Sequence, residues 1–428
     1  MKNSARGLRS RRVRSWAGVL GVLLIAAPLT AVTAGVSSAA TAKPAATAKA
    51  TAACGTTVPV GPSNPNGVYK TLPAAVKALY QVYPNALNPS PWAHWKGVKP
   101  PWRLGYIDFA IGTPYDAHVL AELQTLYKQG VKQGLLKGTL ATSIPATLAL
   151  STPESQINAI EQMVREGVNA IILSPVAGAS EAAAIDAAGK AHVPVILADN
   201  IITQSKYAVS IWSQNQYKDV GAWLGIVKTG NVLAVRGIAG NENETLLYGQ
   251  FAADLKDCPN VHLAGTVYGE WNASTAKTVT SEYLVSHPAP LQGVFQDGGM
   301  MPGVIEAFQA AGRTVPPVAD GECEGADLSW WLANVKTYKG AGGCYNGYQG
   351  GYTYFNAALR MLDGKGIKLN VTEIPAPLIT DANIAQYATP NEPLSWDGEM
   401  RGATTAWCDN TCLNTYFNVS GAVGNFPG

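Results

Sequence analysis

Residues Gly167 to Asn200 read GVNAIILSPVAGASEAAAIDAAGKAHVPVILADN, and the fold is decided there. An apolar run, Ala170–Leu173, meets a Ser174-Pro175 stop; an alanine-rich helical pattern follows; a second apolar run, Val193–Ala198, ends abruptly on Asp199-Asn200. Apolar runs separated by a helical pattern are the signature of a βαβ unit in a parallel sheet buried on both faces. In such sheets the crevice at the carboxyl ends of the strands is where ligands bind. Asp199 and Asn200 are polar, adjacent and placed at such an end.

The alternation extends outward from this unit. Strands are predicted at Leu104–Phe109, Thr139–Ala149, Ala170–Leu173, Val193–Ala198, Ala208–Ile211, Asn231–Val235, Val261–Val267, Gly293–Gln296, Pro317–Ala319 and near Gly340–Tyr345, with helical patterns such as Pro153–Glu166, Asn215–Lys228 and Thr275–Ser286 between them. The order reads as two successive αβ blocks, near 103–212 and 213–343, and two such blocks suggest lobes facing each other across a cleft. Residues 55–102 are rich in Pro and Asn with one helical pattern near Leu72–Tyr80, and Trp92, Trp95 and Trp102 suit an extension pinned onto the body.

The N-terminus is set apart from this fold. Lys2, Arg6, Arg9, Arg11, Arg12 and Arg14 precede an apolar stretch, Trp16–Val32, and small residues near Ser38-Ala39-Ala40 offer a cleavage site. Pro28 breaks the stretch and it is short for a membrane span, so residues 1–40 read as an export signal, with Arg11-Arg12 leaving twin-arginine export open. Residues 41–54 are an Ala/Thr/Lys tether. Removing the six N-terminal cations turns the formal +2 into −4, and with no basic face left nucleic acid is excluded as a partner.

Six cysteines in an exported chain suggest disulfides. Cys408 and Cys412 can close a small loop, Cys323 and Cys344 each follow an apparent strand, and Cys54 is left with Cys258 by elimination. Cys54 has a rival role as a lipid-modified cysteine, since Thr51-Ala52-Ala53 is loosely lipobox-like. It stands about twenty residues from the apolar stretch that a lipidation site should adjoin, so the rival is not favoured.

Five segments, GVNAIILSPVAG, VPVILADN, VLAVRGIAGNENETLLYGQF, LQGVFQDGGMMPGVIEAFQAAG and VADGE, occur in the order found in the type I periplasmic sugar-binding proteins, the ribose-binding-like substrate-binding subunits of ABC transporters. The chain resembles that family over roughly residues 103–370. The resemblance implies an α/β fold of two Rossmann-like lobes with parallel sheets, joined by a hinge of three crossings, and closure by hinge bending. The N-terminal lobe would take residues 103–212 and about 345–372. The C-terminal lobe and its disulfide-containing tail would take 213–344 and about 373–428.

A sugar needs carboxylates and amides for its hydroxyls and aromatic rings for its C–H faces. The family places an aspartate, usually followed by arginine, where Asp199 and Asn200 stand here. Asp297 in FQDGG, and either Asp320 or Glu322 in VADGE, match further ligand carboxylates. Thr113, Tyr115 and Asp116 in IGTPYDA match one wall and Trp271 in GEWNAS the opposite aromatic, while Tyr345 and Asn346 match a hinge position that often supplies an amide. The loop Gly240–Thr245 departs from the pattern, for Thr245 replaces an arginine; Asn243 and Glu244, or Arg236, are the candidate substitutes.

These positions imply a small neutral sugar or polyol as ligand, an ABC transporter permease as partner, a monomer, and no cofactor, metal or catalytic residue. A sensor that presents a bound sugar or autoinducer to a membrane receptor is the alternative. A secreted glycoside hydrolase is less favoured: Glu242, Glu244, Glu270 and Glu322 could be nominated as its acids, but strand-end carboxylates serve binding equally well. A sugar-responsive repressor would need a helix-turn-helix ahead of the first strand, and residues 41–102 lack one.

Overall fold

The computed structural model describes residues 54–57, 59–213, 216–401 and 408–426. The export signal and most of the tether, predicted within residues 1–54, lie outside the described residues except for Cys54. Among the described residues, twelve strands form two six-stranded sheets. β1 (Leu104–Ile107), β2 (Ala141–Ser143), β3 (Ala170–Leu173), β4 (Val195–Ala198), β5 (Val209–Ser213) and β11 (Val371–Ile374) make the first, in the order β11-β5-β4-β3-β1-β2. β6 (Gly230–Arg236), β7 (Val261–Tyr268), β8 (Gly293–Gln296), β9 (Val318–Asp320), β10 (Ala341–Gly343) and β12 (Leu378–Thr380) make the second, in the order β12-β10-β9-β8-β6-β7. All pairings are parallel except β10 with β12. Setting aside the late strands β11 and β12, each sheet repeats the doubly wound 2-1-3-4-5 order, so the duplication read from the sequence is a duplication of topology.

Helices start where the strands release the chain at their carboxyl ends, and their caps are local. Thr113 caps Pro114–Lys132, Asn241 caps Glu242–Lys256, Asn272 caps Ala273–Ser286 and Asn346 caps Gly347–Leu362, each side chain accepting a first-turn N–H. Pro153–Arg165 begins on a Thr152–Ser155 capping box. The central strands Ala170–Leu173 and Val195–Ala198 are wholly buried, whereas the edge strands Ala141–Ser143 and Val261–Tyr268 are partly exposed. The predicted strand Thr139–Ala149 shrinks to Ala141–Ser143, and the chain then runs past Pro145 to a 3-10 turn at Leu148–Leu150. Proline has no N–H for a ladder, so the strand cannot continue through it.

The extension before β1 is built into the core of the first sheet. Tyr80, Tyr83, Leu87, Trp92 and Trp102 are buried there, and Trp95 packs against them. Backbone bonds from Ser90 N–H to Lys368 (2.9 Å), Val98 N–H to Leu362 (2.8 Å) and Trp102 N–H to Leu135 (2.9 Å) fix its path.

The chain passes between the sheets more often than the resemblance implied. It leaves the first after β5, returns between Gly343 and Gly347, and leaves again between Ile374 and Leu378. A fourth passage brings residues 408–426 back to the first sheet, where Leu413, Tyr416, Phe417 and Phe426 join its core. The sequence reading assigned this tail to the second lobe; its apolar side chains bury against the first sheet instead. Disulfides join Cys54 to Cys258, Cys323 to Cys344 and Cys408 to Cys412. A Cys54 sulfur committed to that bond has no thiol left to carry a lipid.

The Cys54–Cys258 bond closes 204 residues, so it removes much conformational freedom from the unfolded chain. Replacing both cysteines by serine is expected to lower stability by about 2–5 kcal/mol in denaturant unfolding. An unchanged midpoint would mean that the bond contributes nothing to stability.

Candidate functional site

In a 2-1-3-4-5 sheet the strand order reverses between β1 and β3, and the crevice opens at the carboxyl ends of that pair. Both sheets turn this point toward the same space. From the first come Phe109 and Thr113 after β1, Ser174 after β3, and Asp199 and Asn200 after β4. From the second come Trp271 after β7, Asp297 and Gly298 after β8, and Glu322 after β9. Together with Tyr115, Asp116, Ala198, Asn243 and Tyr345 they line a cavity of about 50 Å³.

The walls touch. Trp212 donates its indole N–H to Asn243 Oδ1 at 2.8 Å, Asn241 Nδ2 donates to the Pro175 carbonyl at 2.8 Å, and the rings of Phe109 and Trp271 stack with centroids 6.1 Å apart. The cleft is therefore closed. Trp271 reaches its place through a left-handed backbone at Glu270 (φ 59°) and at itself (φ 50°), costly for bulky residues. It lies so close to Gly237 that a Cβ there would stand 2.2 Å from its ring.

Four carboxyl groups share the space, each held differently. Asp199 Oδ1 accepts the Ser213 N–H at 2.8 Å, the Tyr345 hydroxyl also bonds the carboxylate, and Oδ2 is buried without a partner. Asp297 Oδ1 accepts the Trp271 indole N–H at 3.0 Å, and its Oδ2 is likewise buried and unpartnered. Asp116 accepts from the Thr113 hydroxyl at 3.2 Å. Burial pushes Asp116 up to about 6, Asp199 to about 7, and Asp297, with the Glu244 charge nearby, to about 8. Glu322 is raised well above the usual carboxylate range by burial and by the charge of Asp116.

Most of the residues singled out in the sequence meet here: Thr113, Tyr115, Asp116, Asp199, Asn200, Asn243, Trp271, Asp297, Glu322 and Tyr345 all line the cavity. Asp320 and Asn346 do not. Asp320 Oδ1 turns back to accept Gln296 Nε2 at 2.6 Å and Cys323 N–H at 3.1 Å, so it braces the turn that presents Glu322. Asn346 spends its Oδ1 on the Gln349 N–H at 2.9 Å, as a helix cap. Arg236, nominated in place of the missing arginine, pairs with Glu244 and lies 3.7 Å from the Tyr248 ring centroid, outside the lining. Phe109, Ser174, Ala198 and Gly298 were missed; each sits at or just beyond the carboxyl end of a strand, the signal that could have found them.

Each raised carboxyl holds its proton more tightly when folded than the value of about 3.9 for an unfolded aspartate. The folded chain therefore carries extra protons above about pH 4, and the stability they represent is lost as pH rises through the raised values near 6, 7 and 8. Ligand-free protein is expected to melt at a lower temperature at pH 8 than at pH 5.5, and Asp297→Asn to narrow the difference. Scanning fluorimetry across this range checks it, and a melting temperature that is flat or rising with pH would refute the assignment.

The chain's known relatives share this architecture. A family model described as periplasmic binding protein domain matches residues 127–366. The galactofuranose-binding protein YtfQ of Escherichia coli (strain K12) is 27% identical over 170 residues, 37% of this chain and 54% of the relative, so the match spans about half the length of that curated protein. An ABC transporter solute binding protein from Thermobispora bispora DSM 43833 superposes with a TM-score of 0.60 at 22% identity, covering 69% of this chain and 90% of that one. Another, from Bacillus halodurans C-125 with bound myo-inositol, gives 0.54 at 17% identity over 68% and 98%. At those identities the structural likeness speaks for the fold alone; the family match takes in more than half of the chain. The chain belongs to the periplasmic binding protein domain family.

Proposed function

We propose that the chain is an exported solute-binding protein that captures a small sugar or polyol between its two lobes and delivers it to the permease of an ABC transporter. The observation that carries this is the pairing of unpartnered carboxylate oxygens, Asp199 Oδ2 and Asp297 Oδ2, with aromatic walls from Phe109, Trp271, Tyr115 and Tyr345 in one closed cavity. Hydroxyl groups would satisfy the carboxylates, and ring C–H faces would cover the aromatics. A cavity of about 50 Å³ in the closed form leaves no room for a long oligosaccharide. The relative named for galactofuranose and the neighbour holding myo-inositol support the same ligand class.

Residues 1–40 act as the export signal, the protein works as a monomer, and it reaches its partner outside the cytoplasm. No helix among the described residues is long and apolar enough to cross a membrane. The lobes are the bodies built on the two sheets, and they separate about the passages near Ser213, Gly343 and Ile374 to admit ligand. Recognition by a permease requires that loaded and empty forms differ in shape, which the closing of the cleft supplies.

A thermal-shift screen of monosaccharides, polyols and short oligosaccharides tests the ligand class, since a bound ligand raises the melting temperature with occupancy. No shift with any of them would overturn the reading. With the best ligand from that screen, Asp199→Ala is expected to weaken binding at least tenfold by calorimetry, because a hydroxyl bonded to a charged group contributes about 1.5–3 kcal/mol. Unchanged affinity would remove Asp199 from the site. Small-angle scattering at saturation is expected to show a smaller radius of gyration than the empty protein; equal radii would count against closure.

A further inference from the structure

The charges around the cavity do not balance. Asp116, Asp199, Asp297 and Glu322 line it, and among the described residues no lysine, arginine or histidine does. The nearby guanidinium, Arg236, is already engaged: it pairs with Glu244 and sits over the rings of Tyr248 and Tyr268, with centroids 3.7 and 5.0 Å away. Two of the lining carboxylates present an oxygen with no hydrogen-bond partner, Asp199 Oδ2 from the first sheet and Asp297 Oδ2 from the second. Asp199 is 5% exposed and Asp297 2%, so water does not screen them.

A carboxylate in so dry a place needs an opposite charge or a proton. A metal ion is not the answer the residues offer, since among the described residues no group of three or more His, Cys, Asp or Glu side chains could hold one. A neutral polyol can donate hydroxyl bonds but leaves the mutual repulsion of the carboxylates in place, and that repulsion already contributes to the raised pKa of Glu322. A ligand with a protonated amine changes this. Its N–H groups make charge-assisted bonds, and its charge offsets the carboxylates. The faces of Trp271 and Tyr345, both lining the cavity, would favour a cation as well as a sugar ring.

We propose that the solute captured by this cleft is an amino sugar, whose ammonium group sits between Asp199 and Asp297 and supplies the positive charge that the protein itself does not. This rests on the sugar-binding reading above and sharpens it, departing from the neutral solute expected from the sequence. Placing the amine between carboxylates of different sheets also ties ligand charge to closure, because both partners reach it only when the two strand ends face one cavity.

The test compares three chemical states of one ring. Glucosamine, galactosamine and mannosamine, their neutral parent hexoses and their N-acetyl derivatives are titrated into the intact protein at pH 7 by calorimetry. At that pH most of a free amine is protonated. At least one amino hexose is expected to bind ten times more tightly than both its parent and its N-acetyl form. Asp199→Asn and Asp297→Asn, which keep the shape and remove the charge, are expected to shrink that preference, the amine losing more affinity than its neutral parent. Neutral parents that bind as tightly as the amines would overturn the proposal and leave the sugar-binding reading standing. Binding by none of the amines would also overturn it, and binding by no sugar of any kind would remove both.

Discussion

Parallel strands cannot be joined by a tight turn, so each must be followed by a crossover on one face of the sheet before the next can pair. That constraint shapes everything in this chain. It sends every strand of the first αβ block in one direction, collects the carboxyl ends along one edge, and starts a helix or loop from each of them. When the block is repeated, the second sheet offers a matching edge. The cavity is what lies between two such edges brought together, and its polar lining is drawn from residues that the strands have just released.

The chemistry of the cavity is shaped by what those residues must also do for the fold. Thr113 and Asn346 cap helices, Asp320 braces a turn, and Asn241 both caps a helix and holds the Pro175 carbonyl across the cleft. Asp320 and Asn346 stand outside the cavity, whereas Asp199 and Asp297 line it, each giving one oxygen to the protein and holding the other without a partner. Keeping a buried oxygen unpaired costs about 1–3 kcal/mol, more for a charged group, and the empty protein bears that cost by holding protons.

Much of this was legible in residues whose signal is local. An apolar run stopped by a polar residue fixed the ends of β3, β4 and β8, and with them Asp199 and Asp297, to within a residue or two. What remained hidden depends on backbone geometry or distant packing. Asp320 and Glu322 are two residues apart on a short turn. Which of them faces the cavity depends on Asp320 folding back on Cys323, whose φ of 58° is left-handed. Nor does any pattern in CDNTCLNTYF say which sheet will bury Leu413 and Tyr416, since apolar burial is not directional. The engagement of Arg236 by Glu244 is equally beyond the sequence, for it needs the side chains of a strand and a helix in register.

The disulfide at Cys54 has a mechanical side. Its partner Cys258 belongs to the core of the second sheet, and Gly55 and Thr57 lie against Gly225 and Gly221 of the helix Gln216–Val227, which packs on that same sheet. Only three residues later the Val60 N–H bonds to the Gln81 carbonyl, in the extension built into the first sheet. An extended chain spans at most about 3.3–3.6 Å per residue, so this link can reach no further than roughly 10 Å. It behaves as a short inextensible cord fastened to both halves at one margin. A cord that short limits how far the halves can part or slide at that margin.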